Sequence, residues 1–292
     1  MTGQINAAAG PVLVILGCGD LGARLGLQLV EDGWRVHGLR RNAAALPAGL
    51  HPLAGDLGNP VCPAGWPEGD IDYLVYAAAA DSREPQAYRR AYVEGLQHAL
   101  GWLRVGQRPR RLLFVSSTAV YGQADGRWID ETSPTEPASF SGQILLEAER
   151  VARESGIPAT AVRLSGLYGP GRGALLRQVQ AGRRAPDGPP QYGNRIHIED
   201  AAGLLAHLLE ADRQGAGLED CYLGVDDAPA ALAEVVDWLR ERLAVTTEDP
   251  TPLARGAGSK RCNNARARAL GWQPRFPSYR EGYAALLEGL TR

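Results

Sequence analysis

Val12-Leu13-Val14-Ile15-Leu16-Gly17-Cys18-Gly19-Asp20-Leu21-Gly22 is an apolar run that breaks onto a glycine-rich turn. An unbroken apolar run reads as a strand buried on both faces, as in a parallel sheet covered by helices on each side. Ala23-Arg24-Leu25-Gly26-Leu27-Gln28-Leu29-Val30 continues in a helical pattern. The turn between them spells G-x-G-x-x-G. In that spacing Gly17 permits the tight turn, Gly19 lets the backbone approach a pyrophosphate, and Gly22 lets helix and strand pack closely. The free N–H groups of the first helical turn then face the phosphates, where the helix dipole favours negative charge. The motif is weak alone and strong between a buried strand and an amphipathic helix. Its bland alternative is a strand–helix turn that binds nothing. Gly17, Cys18, Gly19, Asp20, Leu21 and Gly22 are therefore the first cofactor-binding candidates. Cys18 needs only to be small there and is given no redox role.

Working outward, the first strand covers about 11–17 and the helix about 20–32, stopped by Gly33. Trp34-Arg35-Val36-His37-Gly38-Leu39 reads as the second strand. In a dinucleotide fold an acid at its end takes the NAD ribose, whereas Arg accommodates the NADP 2′-phosphate. Here the strand ends in Leu39-Arg40-Arg41-Asn42 with no acid nearby in the sequence. Arg forks pair well with phosphate, so Arg40 and Arg41 favour NADP, with NAD as the alternative. Two solvated arginines at a loop are the reading without function. His51 to Leu57 reads as a short third strand ending Gly55-Asp56-Leu57, where Asp56 either touches adenine or caps a turn. Ile71 to Ala77 is the fourth strand, and Ala77, Ala78 and Ala79 are small enough for backbone to pass close to a cofactor or to pack tightly.

A long helical pattern spans 85–105, and Arg111-Leu112-Leu113-Phe114-Val115-Ser116 is the fifth strand, running into Ser117-Thr118-Ala119-Val120-Tyr121-Gly122. A helix over 138–155 and a sixth strand over 159–164 follow. Alternating strand and helix predicts an α/β fold, a Rossmann-type doubly wound parallel sheet. Beyond 165 the pattern loosens into turn-rich loops, including Tyr168 to Gly173 and Gly182 to Asn194. Strands at 195–198 and 221–225 and helices at 199–211, 229–243, 263–270 and 278–290 follow. The expected organisation is a disordered lead-in over 1–10 and a dinucleotide-binding domain over 11–165, rejoined by about 195–225. A smaller, interleaved C-terminal substrate lobe occupies most of 166–292.

Composition narrows the partners. The formal charge of −2 gives no electrostatic case for nucleic acid or a membrane surface. The N-terminal residues lack a basic region and a long apolar core, so no leader or membrane span is expected. Four cysteines lie far apart without a CxxC, which reads as reduced thiols in a cytoplasmic protein. No His/Asp/Glu/Cys cluster has metal-ligand spacing, so no metal is expected. Lys260 is the sole lysine among 31 basic residues.

With these segments in order, the chain resembles the short-chain dehydrogenase/reductase superfamily, and within it the extended branch of NAD(P)-dependent epimerase/dehydratase proteins that handle nucleotide sugars. The matching stretches are Gly17–Gly22, Gly55-Asp56-Leu57, Ala77-Ala78-Ala79, Val115 to Gly122, Arg163-Leu164 with Tyr168-Gly169-Pro170-Gly171, and Arg195 to Asp200. Leu270-Gly271-Trp272 and Arg280-Glu281-Gly282 look like the family's C-terminal helices. The resemblance implies an NAD(P) cofactor, a small-molecule substrate such as a nucleotide sugar, and a homodimer formed through the helices at 85–105 and 138–155.

The departures shape the functional reading. The family pattern has a Tyr-x-x-x-Lys on the helix after the Ser/Thr strand: Tyr moves the substrate proton, and Lys lowers its pKa and holds the nicotinamide ribose. A phenol near its ordinary pKa of ~10 needs such help at neutral pH. Here Ser141 falls where Tyr belongs and Leu145 where Lys belongs, or Phe140 and Ile144 after a shift of one. The family's helix asparagine falls on Tyr92. Ser117 keeps the position of the catalytic Ser/Thr, against the alternative that its hydroxyl satisfies backbone. Tyr121 is the remaining candidate acid, against packing at the strand exit. His197 reads as a packing residue, Asp200 as a helix cap or first-turn acid, and Arg195 as a weak phosphate contact. Two functions stay open. One is an NADP-favouring oxidoreductase or epimerase with non-standard proton transfer. The other is a non-catalytic NADP-binding sensor or regulatory protein.

Overall fold

The structure, a computed structural model, describes residues 10–254 and 258–290, so the expected lead-in lies outside the described residues except for Gly10. The chain begins with β1 (Val12–Leu16), α1 (Asp20–Glu31), β2 (Arg35–Arg40), β3 (His51–Ala54) and β4 (Tyr73–Tyr76). A helical stretch follows in three pieces: α2 (Pro85–Tyr88), a π-helical segment (Arg89–Glu94) and α3 (Gly95–Gly101). Then come β5 (Arg111–Ser117), β6 (Trp128–Ile129), α4 (Phe140–Arg153), β7 (Ala159–Leu164), β8 (Gly166–Tyr168) and α5 (Ala174–Gln180). The remainder is β9 (Tyr192–Gly193), β10 (Arg195–His197), α6 (Ile198–Arg213), β11 (Cys221–Gly224), β12 (Ala230–Ala231), α7 (Leu232–Arg242), β13 (Arg261–Cys262), α8 (Ala265–Ala269) and α9 (Tyr279–Leu290).

Seven strands form one parallel sheet in the order β11-β7-β5-β4-β1-β2-β3. Counting outward from β1, the chain goes one way through β2 and β3 and the other way through β4, β5 and β7. That reversal beside β1 is the switch point of a doubly wound sheet, where ligands bind at the strands' C-terminal ends. The fold class read from the sequence is the observed one. β1 is buried throughout, as a central parallel strand requires. Helix α1 buries Leu21, Leu25 and Leu29 on one face, each worth roughly 2 kcal/mol of apolar burial. Gly22 and Gly26 on the same face bring the helix close: a Cβ at Gly22 would lie 2.9 Å from Ile15 Cγ2, and one at Gly26 would lie 2.8 Å from Leu50 Cδ2.

The chain divides into two compact units. One runs up to Val115 and includes Ile144–Ala161; it holds β1 to β4, α1 and the broken helix. The other comprises Ser116–Gln143 and the chain from Val162 onward. It contains the two-stranded pairs β8–β10, β9–β12 and β6–β13. It also has its own apolar core, in which Leu176, Val179, Val235, Val236 and Leu239 pack with Tyr168, Tyr279 and Tyr283.

Several expected boundaries shift. The third strand stops at Ala54, leaving Gly55-Asp56-Leu57 as a turn. The helix expected over 85–105 ends at Gly101 and is π-wound in its middle. Its apolar spacing suits a regular helix, but the Tyr76 hydroxyl, rooted in β4, donates to the Ala91 carbonyl in the third residue of the wide turn. Tyr168, which the turn-rich sequence places in a loop, ends β8 and is buried in the second unit's core. Among the described residues no helix is long and apolar enough to cross a membrane.

Candidate functional site

Within the first unit, a cleft of about 750 Å³ opens at the C-terminal ends of β1, β2 and β4. Gly17 turns the chain out of β1 with φ at +81°, a left-handed conformation that costs an L side chain. The N–H groups of Gly17 and Cys18 both donate to the Leu39 carbonyl, at 3.1 and 2.7 Å, which ties the turn to β2. Ala78 closes from β4: a Cβ on Gly17 would lie 2.5 Å from Ala78 Cα. Gly19 differs, since a Cβ there would meet no heavy atom within 4 Å. The missing side chain leaves open space directly over the first turn of α1.

Of the expected cofactor residues, Gly17, Gly19, Arg40, Arg41, Asp56, Leu57, Ala77, Ala78 and Ala79 line this cleft, whereas Cys18, Asp20, Leu21 and Gly22 do not. Cys18 is fully buried, its Sγ 3.0 Å from where a Gly38 Cβ would stand. Burial pushes its thiol up to about 11, partly offset by Arg40, so it is not a thiolate near neutral pH. The Asp20 carboxylate accepts from Arg24 Nε at 2.8 Å, and Leu21 packs in the core. What the turn offers a ligand at these positions is backbone.

The far wall is Glu84, Gln86 and Ala87 around α2 with Arg90 and Ala91 of the π segment. A wide turn rotates the residues after it relative to a regular helix, and such bulges often sit at functional sites. Arg90 reaches back to Asp56, with Nη2 3.7 Å from Oδ2. The other Asp56 oxygen accepts the Gly58 N–H at 2.9 Å, so Asp56 does cap a turn.

The end of β2 corrects one sequence argument. No acid stands near Arg41 in the chain, yet Asp81, just beyond β4, meets it in space. Arg41 Nη1 and Nη2 donate to the two Asp81 oxygens at 2.8 and 2.7 Å. That fork holds the Asp81 carboxyl below the usual range. Sequence reasoning missed Asp81 because the parallel pairing of β1 with both β2 and β4 makes the contact, not local pattern.

These residues fit a dinucleotide. The open volume over a helix N-terminus, the unfilled Cβ space at Gly19 and the guanidinium-bearing residues that line the same cleft match a pyrophosphate flanked by a ribose. Among the described residues no cluster of three or more His, Cys, Asp or Glu side chains could hold a metal ion.

Ser117 and Tyr121 belong to the second unit. Ser117 ends β5 and its Oγ accepts the Ala119 N–H at 3.1 Å, capping a short 3-10 turn. This is the backbone role weighed in the sequence; the hydroxyl proton is not consumed by it. Tyr121 is buried, and its hydroxyl accepts from Arg163 Nη1 at 2.6 Å while the guanidinium lies over the ring. Burial raises this phenol well above its ordinary pKa despite the neighbouring Arg163, so the geometry favours packing over acid–base work. Lys260 donates from Nζ to the Tyr121 carbonyl at 2.8 Å. No local signal in the sequence links positions so far apart.

The other positions singled out in the sequence make the following contacts. Leu145 is buried apolar surface in α4, and Ser141 Oγ lies 3.0 Å from Ser139 Oγ. Tyr92 lies in the π segment against Tyr88. His197 packs on Phe276 and Tyr168, and its Nδ1 accepts the Glu199 N–H, so His197 caps α6 and Asp200 is the first-turn acid. Asp200 accepts from the backbone N–H groups of Arg275 and Phe276 at 2.7 and 3.0 Å. Arg195 is buried in the same unit, its guanidinium over Tyr279.

The profile of the NAD dependent epimerase/dehydratase family matches residues 12–224. Protein YeeZ of Escherichia coli K12 is 34% identical over 219 residues, covering 70% of this chain and 74% of that protein. A solved structure from Methylobacillus flagellatus, assigned to the NAD-dependent epimerases/dehydratases, is 34% identical. It superposes with a TM-score of 0.80 over 98% of this chain and 100% of that one. The structure of MoeE5 with UDP-glucose and NAD is 25% identical, with a TM-score of 0.76 over 97% of this chain and 99% of that one.

Proposed function

Because the chain belongs to the NAD-dependent epimerase/dehydratase family, we propose that it is an NADP-favouring oxidoreductase or epimerase acting on a nucleotide sugar or another small carbonyl or hydroxyl compound. The observation that carries this reading is the cleft over α1, open at Gly19 and flanked by Arg40 and Arg41. The N–H groups of the first turn of α1 hold the pyrophosphate, those of Gly17, Cys18 and Gly19 being bonded within the protein, and the two guanidinium groups take a 2′-phosphate. A bound nicotinamide supplies hydride acceptance and donation. The resemblance to MoeE5, whose structure holds UDP-glucose and NAD, supports a nucleotide-sugar substrate.

Ser117 orients the substrate oxygen, using the hydroxyl proton that its cap to Ala119 leaves available. The proton itself passes through water or a substrate group, because burial raises the Tyr121 phenol well above its ordinary pKa, which makes it too weak an acid to give up its proton near neutral pH. Thermal-shift titration with NADP(H) and NAD(H), followed by nucleotide sugars on the loaded protein, tests the reading. A ligand of the native state alone adds RT ln(1 + [L]/Kd), about 2.7 kcal/mol at a hundredfold excess. Failure of both dinucleotides to bind overturns it.

A second reading is favoured by Leu145, a buried leucine where the family carries its lysine: a dinucleotide-binding sensor without turnover. It predicts that Ser117→Ala leaves both cofactor affinity and cellular role unchanged. NADPH consumption that depends on Ser117 and on an added carbonyl compound separates the two.

A further inference from the structure

The cleft's rim carries Arg40, Arg41 and Arg90 against Asp56, Asp81 and Glu84, three cations against three anions. A site shaped only for a 2′-phosphate would leave its arginines uncompensated. Here Arg41 is already held by a two-pronged hydrogen bond to Asp81. Asp56 adds its charge to the field on Arg41, and Arg90 adds its own to that on Asp81. The carboxylate thus occupies the donor face that a phosphate would need.

Resting on the dinucleotide reading above, we propose that Asp81 sets the cofactor selectivity of this chain and makes it tolerant of both NADP and NAD. An NAD-type site needs a carboxylate at the end of the second strand to accept the ribose hydroxyls, and an NADP-type site needs a guanidinium. This structure supplies both, the guanidinium from Arg41 directly after β2 and the carboxylate from the segment after β4. A 2′-phosphate takes over the Arg41 fork and displaces Asp81. A free 2′-hydroxyl leaves Arg41 paired and donates to an Asp81 oxygen, since each carboxylate oxygen accepts more than one hydrogen bond. The exchange is inexpensive: the side chains are 65% and 70% exposed, and exposed pairs hold together only weakly. Selectivity is then a balance between two neighbouring groups, and removing either tips it.

The experiment measures Kd for NADP and NAD by calorimetry in the wild type, Asp81→Asn and Arg41→Gln, with melting curves for each. Both side chains are exposed, so the variants keep the wild-type melting temperature. Asp81→Asn tightens NADP about fivefold and weakens NAD by about the same factor, while Arg41→Gln weakens NADP about tenfold and spares NAD. A wild type that binds a dinucleotide, with a ratio Asp81→Asn shifts by less than about twofold, overturns the role of Asp81 alone. A wild type that binds neither dinucleotide removes the cofactor reading and this inference together.

Discussion

Ala78 presses its backbone so close to Gly17 that a Cβ there would lie 2.5 Å from the Ala78 Cα and 2.6 Å from its nitrogen. With φ at +81°, the position excludes a side chain twice over, by conformation and by space. Gly17→Ala is expected to cost roughly 2–4 kcal/mol of stability, combining left-handed strain with a backbone overlap that cannot relax by a rotamer change. Urea unfolding at neutral pH reads it, and a loss under about 0.5 kcal/mol would show that the β4 exit is free to withdraw.

Gly19 provides the complementary case. Its backbone is extended, with φ at −83°, and a Cβ would meet nothing within 4 Å. Gly19→Ala therefore keeps the wild-type unfolding midpoint while weakening dinucleotide binding at least about tenfold, because the methyl enters the volume assigned to the pyrophosphate. Equal losses of stability and binding would mean that the cleft is not where the phosphates sit.

The contrast shows how far sequence carries. The strand–turn–helix around Gly17 was legible because its apolar periodicity, glycine spacing and amphipathic helix all point to one structure. The π turn at Arg89–Glu94 was not, since a single wide turn leaves the apolar spacing of a helix almost untouched and is fixed by Tyr76 from another element. The Arg41–Asp81 fork and the Lys260–Tyr121 bond join positions 40 and 139 residues apart. No period or short motif encodes such pairs; the strand order does. Tyr168 looks like a turn residue beside Gly169-Pro170-Gly171, and only tertiary packing, against His197, Tyr283 and the second unit's core, makes it buried.

Tyr121→Phe separates anchoring from chemistry. It removes the acceptor that Arg163 Nη1 meets at 2.6 Å in a buried setting, with an expected loss of about 1–3 kcal/mol. As an anchor, Tyr121 leaves any turnover of the folded variant within about threefold of wild type, whereas a proton donor would lose about a hundredfold or more. Single-turnover hydride transfer on protein verified as folded distinguishes them.

Accessibility sorts the thiols. All four cysteines are free; Cys62 is exposed, whereas Cys18, Cys221 and Cys262 are buried. Burial raises Cys18 to about 11 and Cys262 to about 12. Iodoacetamide at pH 8 is expected to modify Cys62 alone in the native protein and all four thiols in denaturant, as peptide mapping will show. Rapid native labelling of Cys18 would mean that the glycine turn opens.

Two titrating groups give opposed pH dependences. In β2, His37 stacks on His51 of β3. Burial, then His51 and Arg35, lower its pKa from 6.5 to about 4. The unfolded chain binds this proton more readily, so His37 removes stability as pH falls from about 6.5 to about 4, by on the order of 2 kcal/mol. In the second unit, burial raises Asp226 from 3.8 to about 7, with Arg195 opposing and Asp227 and Asp200 reinforcing. Here the folded chain binds the proton more readily, so stability falls as pH rises from about 4 to about 7, by a similar order. The two trends offset one another in the wild type, which is expected to show a shallow profile between pH 4 and 7. Asp226→Asn removes the second trend and leaves stability rising with pH. His37→Gln removes the first and leaves it falling. Urea midpoints of the three proteins at pH 4.5, 5.5 and 6.5 check this, and parallel profiles for all three would mean that neither group titrates between its folded and unfolded values as the burial of each requires.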